Sequence, residues 1–147
     1  WTALGLVPVT ADRAGPAQAI VPPTEATSPV YQNEGIIYRA AWSPDATRIA
    51  YSFQGEAWAH DLTTGQTQRL THLTEEPLPR PGVIDPGQFF NGVRKVAWSP
   101  TGDRLALELT CNCPSPWSGV AVVGIDGQGL RLLADGVAHA AWSPDGR

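Results

Sequence analysis

The string Ala40-Ala41-Trp42-Ser43-Pro44-Asp45 occurs three times in this chain. It returns as Val96-Ala97-Trp98-Ser99-Pro100-Thr101 and again as Ala140-Ala141-Trp142-Ser143-Pro144-Asp145. The tryptophans are 56 and then 44 residues apart. Recurrence at this interval means that one supersecondary unit is copied, and that no copy buries its apolar face without a neighbour. Any fold for the chain must therefore place three equivalent indoles in equivalent surroundings.

Between the copies the pattern is that of short strands separated by turn residues. In the first copy, strands are predicted at 36–42, 49–53, 57–62 and 68–73. Ser43-Pro44-Asp45-Ala46 forms the first turn, where Ser takes the leading position and Pro pre-sets the backbone of the next. In the second copy the predicted strands are 93–98, 105–110, 120–125 and 130–133. Correspondence extends past the motif, since Arg48-Ile49-Ala50 matches Arg104-Leu105-Ala106 and Arg69-Leu70 matches Arg131-Leu132. Four strands in up-and-down order make one propeller blade. The expected architecture is all-β: a partial β-propeller of two four-stranded antiparallel blades plus the first strand of a third. The units are 36–92 (a first repeat with a long crossing loop), 93–135 (a second) and 136–147 (a truncated third).

The motif Trp-Ser-Pro-Asp, followed by a basic residue and an Ile-Ala-Tyr strand, then Asp61-Leu62, a Gly turn and Arg69-Leu70-Thr71, resembles the TolB-like (WD40-like) β-propeller repeat. The resemblance covers about 36–147. Two departures bear on turn geometry: Ala46 stands for the motif glycine and Thr101 for the motif aspartate, with Asp103 nearby. The resemblance implies a bacterial extracytoplasmic setting, in the periplasm or at the cell surface, and a non-catalytic binding scaffold for a protein, peptide or glycan. Similar repeats also form the gating propeller of prolyl-oligopeptidase-like serine peptidases, whose catalytic domain would lie outside this segment.

Residues 1–35 do not follow the repeat. Pro16, Pro22, Pro23 and Pro29 favour an extended linker, and Ala17-Gln18-Ala19 has the small-x-small form of an export-signal cleavage site, although Asp12 and Arg13 interrupt its apolar core. Linker, stray strand and remnant of an export signal or anchor all remain open. With no Met among 147 residues and an end inside the third motif, the chain reads as a piece of a longer protein. The apolar runs are too short to span a bilayer. The net charge of −4 argues against nucleic acid as partner.

Burying an indole removes ~150–250 Å² from water, or about 4–6 kcal/mol gross. Trp42, Trp98 and Trp142 are therefore expected between neighbouring blades. Because two blades and a stub cannot close a ring of four to eight, apolar faces are left for the rest of a propeller, or for other copies of the chain, to cover.

No Gly-x-Ser-x-Gly elbow, phosphate-binding glycine loop or His-Glu-x-x-His signature is present. Ser43, Ser99 and Ser143 belong to the repeated turn and His60 and His72 lack ligand spacing, so no catalytic residue, metal or cofactor is assigned. Cys111 and Cys113 stand one residue apart in a single loop, and disulfide and free thiols are both open.

Binding is read from where the copies differ. Turns after the first and third strands stay short and share one face. The crossing at 74–92 and the loop at 111–119 are long and share the other, where repeat proteins place binding surfaces. Phe89, Phe90 and Trp117, with Arg80, Glu75 and Glu76, form the candidate patch, because aromatics on proline-stiffened loops lose little entropy on binding. The alternative is that these rings fold down onto their own blade. Arg39, Lys95 and His139 each lie three residues before a motif Trp. They form either a basic stripe in the channel, suited to an anion or acidic chain end, or an ordinary polar wall.

Overall fold

The computed structural model describes residues 4–6, 18–20, 37–73, 75–76, 78, 92–111 and 117–146. Ten strands are found among them. The first sheet contains β3 (Ile37–Trp42), β4 (Arg48–Phe53), β5 (Glu56–Asp61) and β6 (Thr67–Arg69). The second contains β7 (Val93–Trp98), β8 (Arg104–Cys111), β9 (Trp117–Gly124) and β10 (Arg131–Asp135). Each is antiparallel with neighbours in chain order. These are two up-and-down blades of a partial β-propeller. Both first strands slip register at the same place, between Ile37 and Ala40 and between Val93 and Lys95. A bulge copied at an equivalent position is part of the repeat, where it re-aims neighbouring side chains.

The blades stack because period-2 alternation gives each sheet two apolar faces. Ala50, Ala57 and Ala59 of the first blade meet Leu105, Leu107, Leu109, Ala121 and Val123 of the second in one buried cluster with Trp98. The alanines let the second blade approach closely, and the leucines fill the space. The opposite face of the first blade buries Ile49, Tyr51, Phe53 and Trp58 together with Ile20. Ile20 belongs to a ribbon formed by β1 (Leu4–Leu6) and β2 (Gln18–Ile20), paired antiparallel. This ribbon holds the described residues of the segment before the repeats.

The four-residue turn keeps its geometry through both departures from the motif. In the first copy Ser43 Oγ donates to Asp45 Oδ1 at 2.6 Å and accepts from Arg48 N at 2.9 Å. In the second, Ser99 Oγ donates to Asp103 Oδ1 at 2.9 Å and accepts from Arg104 N at 3.2 Å, so Asp103 takes over from the aspartate missing at 101. Ser143 Oγ reaches Asp145 Oδ1 at 2.5 Å. Burial of Ser43 and Ser99 fits this turn role. Ala46 adopts φ 57°, where the other copies have Gly102 at 71° and Gly146 at 78°.

Two expectations change. Residues 137–143 join no sheet among the described residues; they nonetheless dock on the second blade, with Trp142 Nε1 donating to Ala97 O at 3.0 Å. Trp98 likewise donates to Ala41 O at 2.9 Å and is 9% exposed, whereas Trp42 is 55% exposed. Trp42 is the front face of the first described blade, and the β1–β2 ribbon covers side chains of β4 and β5 rather than this indole.

Candidate binding face

The turn Gln54-Gly55-Glu56, between β4 and β5, organises the face that carries the long connections. Glu56 is 1% exposed, and a carboxylate so buried needs partners for both oxygens. Arg69 Nη2 approaches Oε1 at 3.0 Å, while Leu73 N at 3.0 Å and the Thr71 hydroxyl donate to Oε2. Thr71 Oγ1 in turn accepts from Ala57 N at 2.9 Å. The chain leaving β6 is thus bound to the first blade through residue 73. Predicted to continue to 73, the fourth strand ends at Arg69 because Glu56 recruits the groups that would otherwise extend the ladder.

The far end of the crossing returns to the same turn. Val93 N donates to Gly55 O at 2.8 Å, and Thr110 N donates to Gly92 O at 3.1 Å. A Cβ on Gly92 would lie 2.1 Å from Gly55 O, at φ 86°. Only glycine fits this approach. Both feet of the crossing therefore grip one turn, and Gly92 ties the second foot to the end of β8, where the other long loop begins.

That second loop is anchored differently. β8 and β9 pair as far as Cys111 and Trp117, which starts β9 three residues before its predicted beginning at 120. Trp117 is 8% exposed and joins the inter-blade core; its Nε1–H is donated to the Asp135 carboxylate. A Cβ on Gly119 would come within 2.4 Å of the Trp117 ring, so that glycine is the floor on which the indole lies. Trp117 is thus buried in the core, with its ring against Gly119 and its Nε1–H on Asp135 of its own blade.

Of the other patch residues, Glu75 and Glu76 are exposed at the foot of the crossing. Glu75 turns toward Arg69 Nη1 at 3.1 Å and His72 Nδ1 at 3.3 Å, and its bond with Arg69 holds its carboxyl below the usual range. Arg80, Phe89, Phe90 and Cys113 lie outside the described residues.

Beside the stripe residues lies a group the sequence reading missed. Glu108 of β8 is buried between two of the three stripe residues, 3.0 Å from Lys95 Nζ and 3.5 Å from His139 Nδ1, and accepts from Ala140 N at 3.3 Å. Burial pushes its carboxyl up, but the bonds from Lys95 and Ala140 and the nearby charges outweigh this, leaving it below the ordinary value. Lys95 and His139 therefore share a carboxylate, and only Arg39 of the stripe is placed apart from it, exposed on β3. The sequence did hold a signal: Glu108 is a charged residue between Leu107 and Leu109 at the place where the first repeat has Ser52.

The opposite face is uniform. A groove of about 420 Å³ lined by Arg48, Ala59 and Gln66 is matched by one of about 500 Å³ lined by Arg104, Val122 and Gln128. Grooves at equivalent positions belong to the stacking of blades rather than to a particular site. Among the described residues, no group of three or more His, Cys, Asp or Glu side chains is placed to hold a metal.

No protein-family model matches the chain, and no curated protein matches it in sequence. Among solved structures it is similar to the tricorn protease, with a TM-score of 0.58 at 11% identity over 90% of this chain. It also aligns with a protein described as TolB from Agrobacterium tumefaciens, with a TM-score of 0.46 at 17% identity over 76% of this chain. The chain spans 11% and 35% of those two structures respectively. The first likeness, at this level of identity, is one of β-propeller fold.

Proposed function

We propose that this chain is part of a non-catalytic β-propeller scaffold of TolB-like type that recognises a protein, peptide or glycan through the face built on residues 74–92 and 111–117. One observation carries the reading: both ends of the long crossing are clamped to the turn at 54–56, one through Glu56 and the other through Gly55. A loop closed on a rigid base presents its side chains with little ordering entropy left to lose. Arg80, Phe89 and Phe90 are the contact residues of this reading, and Glu76 is exposed where the crossing begins.

The extracytoplasmic setting, in the periplasm or at the cell surface, rests on the TolB-like motif. A gating propeller beside a peptidase domain is the second reading, favoured by the similarity of fold to a structure described as a protease.

The test is a screen of immobilised peptides and glycans against the chain and a Phe89→Ala/Phe90→Ala variant. Binding that falls at least tenfold in the variant, with unchanged thermal melting, supports the reading. Equal binding by both, or loss on substituting Gln66 and Gln128 of the opposite face instead, overturns it. Selective binding of extended peptides, without glycans or folded proteins, would favour the gating reading.

A further inference from the structure

The joint between the two blades and the joint between the second blade and the third segment share their main parts. Trp98 Nε1 donates to Ala41 O at 2.9 Å, with Arg48 5.4 Å from its ring centroid. Trp142 Nε1 donates to Ala97 O at 3.0 Å, with Arg104 at 5.5 Å. The joints differ where the second strand of a blade meets the incoming segment. In the first, Ser52 Oγ donates to Arg94 O at 3.4 Å, a contact between groups that do not titrate. Its counterpart in the second is Glu108, which accepts from Ala140 N at 3.3 Å and lies 3.5 Å from His139 Nδ1.

We propose that the second joint is a pH-sensitive latch, in which protonation of His139 draws the third segment more tightly onto the Glu108 carboxylate. Alternation along β8 sends Leu105, Leu107 and Leu109 toward the first blade and Glu108 to the other side, toward His139 and Ala140. Lys95, directly across the ladder on β7, and His139 are the charged groups that face Glu108. β9, paired along the other edge of β8, has no ionisable side chain from 117 to 124. A lysine ammonium keeps its charge through the neutral range, whereas an imidazole gains its second proton between about pH 8 and 5. Of the two cations, His139 is therefore the one that responds to mild acidification.

A neutral imidazole gives a carboxylate at most an ordinary hydrogen bond, and an imidazolium adds an ion pair to it. The latch thus tightens as pH falls through the imidazole range. It loosens again when Glu108 itself takes up a proton. Burial raises that carboxyl, but the bonds from Lys95 and Ala140 outweigh it and hold the group below its ordinary value, so release comes only at lower pH. At the first joint neither Ser52 nor the Arg94 carbonyl changes charge. Acidity therefore alters how firmly the second joint is held and leaves the first as a fixed reference in the same molecule.

Hydrogen exchange of the indole Nε1–H groups, followed by NMR on the whole chain at pH 7.5 and 5.5, tests this. Trp142 reports the second joint and Trp98 the first, and the ratio of their protection cancels the intrinsic pH dependence of indole exchange. In the wild type the ratio of Trp142 to Trp98 protection is expected to rise about two- to fivefold on acidification, the range for an ion pair open to solvent. His139→Gln and Glu108→Gln should each abolish the rise. His139→Lys, which keeps a cation at both pH values, should give a ratio above that of His139→Gln at pH 7.5 and no further rise. A flat wild-type ratio, a rise that survives in His139→Gln or Glu108→Gln, or a His139→Lys variant held no more firmly than His139→Gln would each overturn the proposal.

Discussion

Trp42 and Trp98 occupy the same place in the same motif on equivalent strands, yet one is 55% exposed and the other 9%. What separates them is a neighbour: Ala41 and Arg48 stand in front of Trp98, and no described blade stands in front of Trp42. The motif therefore encodes half of an interface rather than a buried residue. The two blades differ again on the loop face. The first closes it with a buried carboxylate that gathers Arg69, Thr71 and Leu73, and the second with an indole lying on Gly119 and bonded to Asp135. Equivalent sheets tolerate unlike closures there because the inter-blade core, not the rim, sets their stacking.

The first comparison is broken most sharply by truncating each indole. Trp98→Ala should cost about 3–5 kcal/mol, as for other buried aromatics, while Trp42→Ala should cost under about 1 kcal/mol in the monomer, since little of it is buried. Urea denaturation of dilute samples checks both, and equal losses would contradict the half-interface account. Next in size is the loop-face clamp. Glu56→Ala removes the buried acceptor of the Thr71 hydroxyl and Leu73 N and leaves Arg69 with Glu75 and the Thr71 carbonyl, so a loss of about 3 kcal/mol is expected. Hydrogen exchange should then rise at 69–76 before it rises in β8.

A smaller effect separates Glu108 from Ser52, its counterpart. Glu108 has a depressed folded pKa, so its stabilising contribution is complete above the unfolded value and is lost as pH falls through the folded one. Stability should therefore decline with acidification below the ordinary glutamate range, roughly pH 4.3, and Glu108→Gln should flatten that limb. Lys95 is 42% exposed, so screening limits the effect to about 1 kcal/mol, decreasing with salt. Smallest is the turn. Ala46 holds a left-handed φ that glycine adopts without penalty, and Ala46→Gly should stabilise by about 0.5–1 kcal/mol, measured as a rise in melting temperature.

Much of the fold could be read before any coordinates, because turn chemistry and two-residue alternation are local. The predicted strand at 93–98 is β7 itself, and that at 49–53 differs from β4 by one residue. Where the reading strayed, a side chain distant in sequence intervened. Glu56 ended β6 early, and Trp117 drew the start of β9 back to meet Cys111. At the candidate site the sequence located the long loops, but which aromatics serve as support depends on the depth of the core beneath them. The pairing of Glu108 with Lys95 and His139 was not legible for a similar reason: Glu108 lies 31 residues before His139, and only the stacking of a third segment on the second blade brings them together.

The sequence by itself determined the repeat, the four-stranded order, the turns and the face on which the copies diverge, since each is written in residues a few positions apart. Tertiary structure alone decided which indole is covered, which carboxylate neutralises which cation, and how both feet of the crossing settle on one turn. Those outcomes depend on the approach of side chains separated by tens of residues, and burial and charge pairing have no local signature until the sheets are stacked.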